Sequence, residues 1–195
     1  MGHDDRLPGA SGKLPPRRPR EEADRALMLD CCRRYGPMIL TREALAAHIT
    51  SSAFVMSPDR EWVLMAWHNI YRSWAWTGGH ADGEPDLLKV AVQEAAEETG
   101  VTSLVPLREE PASIEVLTVR QHQKRGKEVP AHLHLNVSFV LLAPRDGQRM
   151  TAKPDENSGV RWLPAKELPR GCTEEEMLPV YARLVERAET SIGRR

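Results

Sequence analysis

Apolar positions recur with a helical period in three stretches of the chain and alternate, or gather into short runs, between them. Over residues 78–101, GGHADGEPDLLKVAVQEAAEETGV, two glycines and a polar turn lead into Leu87, Leu88, Ala91, Val92, Ala95 and Ala96 at helical spacing, until Gly100 stops the run. Over 21–34, Ala23, Ala26, Leu27 and Leu29 predict a helix ending near Gly36-Pro37, and a second short helix is expected after Thr41, carrying Leu45 and Ala46 inward. Over 173–189, Met177, Leu178, Tyr181, Leu184, Val185 and Ala188 form one face of a terminal helix, whose acidic first turn, residues 174–176, suits the positive helix end. Strands are expected at 51–56 and 61–67, around the turn Ser57-Pro58-Asp59-Arg60, and again at 101–107, 113–119 and 160–164. From His132 onward, His132, His134 and Asn136 alternate with Leu133, Leu135 and Val137, which is the period of a strand with one polar and one apolar face.

A chain of 195 residues can bury one sizeable core and is short for two. The pattern divides it into a flexible leader at 1–20, rich in Gly, Pro and Arg, a helical cap at 21–47, a main α/β domain at 48–190 and a short tail at 191–195. The cap would either narrow a substrate cleft or cover a sheet edge. A formal charge of −1 gives no global attraction to duplex nucleic acid or an anionic membrane. No apolar run is long enough to span a bilayer, and the N-terminus lacks a signal-peptide core, so a cytoplasmic protein is expected. Cys31, Cys32 and Cys172 form neither a metal-ligand spacing nor a disulfide framework, which suits a reducing interior.

The chemistry concentrates in the central helix. Glu94, Glu97 and Glu98 fall on one stripe at i, i+3 and i+4, where they repel one another unless a hard divalent cation such as Mg²⁺ or Mn²⁺ joins them, and a solvated acidic face is the bland alternative. Before the glycine pair, Trp67, Trp74 and Trp76 offer flat faces for a base or ring, although core packing is the commoner role, and Arg72 is a candidate for an anionic phosphate. The basic segment 121–127 is a candidate phosphate-facing loop or a solvated hairpin. His80, His132 and His134 are candidates for substrate phosphate or for metal, and the two roles differ in pH trend: protonation weakens metal binding and favours phosphate.

Residues 79–101 resemble the signature box of the Nudix hydrolases: Gly79, Glu94, Ala95, Glu97, Glu98, Gly100 and Val101 are in register with it, while Pro85 stands at its first Glu and Gln93 at its Arg. The resemblance implies a Nudix-like α/β/α sandwich with a mixed β-sheet, Glu94, Glu97 and Glu98 as catalytic metal ligands for Mg²⁺ or Mn²⁺, and hydrolysis of a diphosphate linkage in a nucleoside-diphosphate-linked or related organic diphosphate. Glu84, one residue before Pro85, is a candidate replacement for the missing Glu, and Glu156 in the acidic loop 155–159 a candidate to approach the helix carboxylates. Substrate binding would fall to Arg72, Trp74, Trp76, His80, His132 and His134. The expected partner is a small-molecule diphosphate, with a homodimer left open. Two alternatives stand beside this one: a nucleotide-binding sensor without hydrolysis, suggested by the altered box, and an enzyme similar to the isopentenyl-diphosphate isomerases, suggested by His48, placed before the first strand, and His80, although Thr77-Gly78-Gly79-His80 carries no cysteine.

Overall fold

The computed structural model describes residues 19–124 and 126–191, so nearly all of the expected leader and tail lies outside the described residues. Helix α1 (Pro19–Tyr35) leads through a 3-10 turn (Gly36–Leu40) into β1 (Ala47–Met56), β2 (Trp62–His68), β3 (Ser73–Ala75) and β4 (Thr77–His80). Helix α2 (Leu87–Thr99) follows, then β5 (Val105–Pro106), β6 (Ser113–Val119), the small hairpin β7 (His122–Lys124) and β8 (Lys127–Val129), and β9 (His132–Leu142). The chain closes with β10 (Asn157–Pro164), a short α3 (Leu168–Gly171) and α4 (Leu178–Thr190).

Eight strands form one mixed sheet in the order β10-β2-β1-β9-β5, with β3 added on β2, β4 on β1 and β6 on β9. The long central pair, β1 and β9, is parallel, and the other pairings are antiparallel. Every residue of β1 is buried, as expected of a strand covered on both faces. One face, with Ile49, Ala53, Val55, Leu135 and Val137, packs against Leu87, Ala91 and Ala95 of α2 and Met28 and Leu29 of α1. The other, with Phe54, Met56, Met65 and Val140, packs against Val180, Tyr181, Leu184 and Ala188 of α4. This is the expected mixed α/β sandwich with an N-terminal and a C-terminal helix.

Two expectations fail locally. Residues 41–46 form turns and no helix: Ala44 N–H donates to the Thr41 carbonyl, Ala44 and Ala47 are buried, and Leu45 is 72% exposed. One turn of chain before a strand is too short to recover the cost of helix nucleation. Likewise, 101–107 is mostly loop, with only Val105 and Pro106 paired to β9, because Pro106 has no N–H to extend a ladder. Helix α1 lies along β6, and Asp24 is hydrogen-bonded by the backbone of Val116.

A buried ionic network fixes α1 to α4. Arg187 makes a bidentate pair with Glu21, its Nη1 and Nη2 lying 2.7 and 2.8 Å from the two carboxylate oxygens. Arg183 donates to Glu115 Oε1 at 2.8 Å and to Ser113 Oγ at 3.0 Å. The network continues into the sheet, where Asn136 donates to Glu115 and accepts from the hydroxyls of Thr50 and Ser52. Among the described residues, no helix is long and apolar enough to cross a membrane.

Candidate active site

The turn at 81–86 delivers α2 in a defined orientation. Asp86 caps the helix by accepting from Lys89 N–H at 3.0 Å, an interaction worth about 1 kcal/mol, and Gly100 ends it in the left-handed conformation at φ 73°. Glu94 and Glu98, four residues apart, therefore lie one above the other on the same face. Close approach of β4 requires its two glycines. A Cβ on Gly78 would lie 2.5 Å from Ser52 Oγ and 2.7 Å from Ser51 O, and one on Gly79 would overlap the Glu94 carboxylate. With both glycines in place, Gly78 N–H donates to Glu98 Oε1 at 2.8 Å.

Glu94, Glu98 and Glu156 offer oxygens that all lie within 4.8 Å of one another. Glu156 arrives from the loop before β10, which is tied to the helix by Asn157 Nδ2 donating to the Glu98 carbonyl at 3.0 Å and to the β2–β3 turn by Asn69 Nδ2 donating to Pro154 O at 3.1 Å. Burial pushes the Glu98 carboxyl up to about 8, against the lowering effect of the Gly78 N–H, and the charges of Glu156 and Glu94 push it the same way. Burial also raises Glu94. Three acidic oxygens in one small space, two of them on carboxyls that resist ionisation, form a donor set that suits a hard divalent cation.

Glu97 stands beside this cluster and outside it. It accepts from Gln93 Nε2 at 2.8 Å and from Lys153 Nζ at 3.1 Å, bonds that hold its carboxyl below the usual range. Lys153 also lies 3.3 Å from Glu156 Oε1, and its charge lowers both Glu94 and Glu98. A cation from the 153–157 loop thus occupies the neighbourhood where the box has Gln93 in place of Arg. The sequence contains no spacing that ties Lys153 to the helix, and only the fold brings it there. Glu84 is held elsewhere, 2.5 Å from Lys89 Nζ and accepting from Asp86 N–H, at the N-terminal end of α2. With a rise of about 1.5 Å per residue, the eight residues from Asp86 to Glu94 separate that end from the cluster by about 12 Å.

The aromatic candidates line the β2–β3 side. Trp74 meets Trp67 edge-on at 5.4 Å and lies under the Arg161 guanidinium at 4.1 Å, whereas Trp76 packs on Tyr181 of α4 at 5.5 Å. Arg72 is exposed on the turn before β3, at φ 53°. The basic segment forms the β7–β8 hairpin, with Gln123 donating to Glu128. His80, His132 and His134 share one side of the sheet with His48, which lies inside β1 and pairs in register with His134. Burial and the three neighbouring imidazoles push His134 down to about 2, so it is neutral at physiological pH.

A mixed sheet between helical layers, carrying a glycine-flanked loop-helix-loop with clustered carboxylates at its edge, defines a Nudix-like fold. Residues 46–184 match the NUDIX domain model, and the chain belongs to this family, which makes it a hydrolase of the Nudix type. The family in general works with divalent metals on small-molecule diphosphates. The structure is similar to the E. coli dihydroneopterin triphosphate pyrophosphohydrolase, at 14% identity and TM-score 0.52 over 71% of this chain and 94% of that one. It is similar to RenU, a Nudix hydrolase from M. smegmatis, at 14% identity and TM-score 0.51 over 73% and 86%. A C. elegans Ap4A hydrolase also matches, at 16% identity and TM-score 0.44 over 74% and 97%. No curated protein sequence matches the chain.

Proposed function

We propose that this chain hydrolyses a diphosphate linkage in a nucleoside-diphosphate-linked or related organic diphosphate, using Mg²⁺ or Mn²⁺ held by Glu94, Glu98 and Glu156. The observation that carries this is the convergence of those three carboxylates within 4.8 Å beside Gly78 and Gly79. When bound, the divalent ions neutralise phosphate oxygens and make water a better nucleophile. The residues supply the rest. Gly78 N–H orients Glu98, and Gln93 and Lys153 hold Glu97 as a charged carboxylate beside the cluster. Lys153, on the loop that carries Glu156, is placed to meet substrate phosphate once the carboxylates engage metal.

The β2–β3 side, with Arg72 and the Trp67–Trp74 pair, is the proposed contact for the organic part of the substrate, and Asn69 ties that turn to the Glu156 loop. Trp76 supports this wall from within the core. A small-molecule substrate and a cytoplasmic setting belong to the same proposal. A panel of nucleoside diphosphate sugars, dinucleoside polyphosphates and alkyl diphosphates, scored for phosphate release with and without Mg²⁺ or Mn²⁺, tests it. Metal-dependent release that is lost in Glu98→Gln is the expected result. Tight nucleotide binding without turnover of any member would favour the sensor alternative.

A further inference from the structure

The histidines form a second convergence, separate from the carboxylates. Parallel pairing sets His48 of β1 beside His134 of β9, β4 sets His80 opposite Thr50, the next residue on the same face of β1, and His132 precedes His134 by one alternation. The rings of His80 and His132 each lie 4.9 Å from that of His48, and the rings of His80 and His132 lie 4.9 and 5.0 Å from that of His134. One nitrogen from each of His48, His80 and His134 falls within 4.8 Å of the others.

Hydrogen bonds fix which nitrogens face inward. His48 Nδ1 is 3.2 Å from the Ala44 carbonyl and His132 Nδ1 is 2.9 Å from the Pro130 carbonyl. A carbonyl only accepts, so each Nδ1 carries the proton and each Nε2 presents a lone pair. His48 is 5% exposed, and its Nε2 is a buried polar atom without a hydrogen-bond partner. His134 Nε2–H donates to His132 Nε2 at 3.2 Å, and an ion displacing that proton would find the two nitrogens close to the spacing of about 3.3 Å that a tetrahedral ion at about 2.0 Å from each imposes. A ligand imidazole whose other nitrogen donates to a backbone carbonyl is the usual arrangement around protein-bound transition metals. Asp82, paired with Arg42 and within electrostatic reach of His48 and His80, adds negative charge nearby.

We propose that His48, His80 and His134, with His132 alongside His134, bind one divalent transition-metal ion of the zinc, cobalt or nickel class, at a site distinct from the Glu94–Glu98–Glu156 cluster. Imidazole nitrogens select such borderline ions over Mg²⁺, which takes oxygen. One strand serves both sites, Gly78 and Gly79 against Glu98 and Glu94 and His80 against His48 and His134, so one protein can hold a hard ion on carboxylates and a softer one on imidazoles.

The test uses the untagged full chain, stripped with a chelator and titrated with Co²⁺ while the visible absorption is followed. One equivalent should develop the intense bands of a four-coordinate Co²⁺ ion, Zn²⁺ should displace it stoichiometrically, and a large excess of Mg²⁺ should not. His48→Gln/His134→Gln should weaken Co²⁺ binding by ~100-fold or more. His80→Ala/His132→Ala, at half-buried positions, provides the same readout if the first variant does not fold. Glu94→Gln/Glu98→Gln should keep the Co²⁺ bands while losing hydrolysis, so the two sites fail separately. No stoichiometric Co²⁺ binding in the wild type, bands that survive in the folded histidine variants, or bands lost in the carboxylate variant would each overturn the proposal.

Discussion

Binding of Mg²⁺ or Mn²⁺ to the carboxylate cluster should expel a proton from Glu98. Burial holds this carboxyl at about 8 in the metal-free protein, so at pH 7 it is about 90% protonated and at pH 9 about 10%. A metal ligand must be deprotonated. Binding should therefore release about 0.9 proton at pH 7, about half a proton at pH 8 and about 0.1 at pH 9 from this group, with Glu94 adding to the count at lower pH because burial raises it too. The same linkage weakens apparent metal affinity about tenfold between pH 9 and pH 7, or about 1.4 kcal/mol. Calorimetric titration of the ion in buffers of different ionisation enthalpy gives the proton number as the slope of observed heat against buffer enthalpy. A slope near zero at pH 7, or a slope unchanged in Glu98→Gln, would refute the assignment of the buried acid to the metal site.

Stability has the matching sign. The folded-state pKa of Glu98 is above its unfolded value of 4.5, so between 4.5 and about 8 the folded state binds more protons than the unfolded chain. The metal-free protein should then lose stability from this group as pH rises through that window. Saturating metal removes the dependence, because the ion replaces the proton. Thermal melts at pH 5 and pH 8.5, with and without Mg²⁺, should show the largest metal-induced gain at the higher pH.

Lys153→Met leaves Glu97 and Glu156 without their shared cation, so the metal-free protein should melt lower, the Mg²⁺-induced rise in Tm should grow, and turnover should fall. Equal metal-induced shifts in wild type and variant would count against Lys153 as the screening charge. Gly79→Ala places a methyl where the Glu94 carboxylate lies, and steady-state assays should show turnover largely lost while circular dichroism shows the fold kept. Arg183→Met removes one partner from a buried ion network and should cost about 3–5 kcal/mol, a fall in Tm on the order of 10 °C by calorimetry.

What could be seen before folding, and what could not, follows from the reach of each signal. The central helix was legible because its periodicity and the Gly100 stop lie within one short stretch. The last helix was legible for the same reason, since Tyr181, Leu184 and Ala188 mark its buried face, although it begins at Leu178 and the acidic residues 174–176 precede it. The failed helix at 41–46 shows the limit of that logic: Leu45 and Ala46 fit a helical stripe, but the chain turns at Ala44 and enters β1 at Ala47, so tertiary pairing with β9 decides the outcome. Propensity over one turn is a weak prior against a ten-residue parallel ladder.

The site divides along the same line. Glu94 and Glu98 converge because a helix puts i and i+4 together, and that much is local. Glu156 and Lys153 come from the loop before β10, and the bonds that set them, Asn157 to the Glu98 carbonyl and Asn69 to Pro154, join segments 59 and 85 residues apart. Gln93, at the Arg position of the box, and Lys153, from this loop, both hydrogen-bond Glu97, a convergence that no spacing in the sequence marks. For the histidines, alternation along β9 revealed that His132 and His134 share a face but not what stood opposite. The parallel register of β1 on β9 supplies His48 and the antiparallel register of β4 on β1 supplies His80. Neither register is written in a local pattern. The second depends on Gly78, because any side chain there would collide with Ser52 and hold β4 away from β1. One residue without a side chain thus lets its own N–H meet Glu98 while the same strand carries His80 to the imidazoles, so the carboxylate and histidine clusters depend on the same backbone contact.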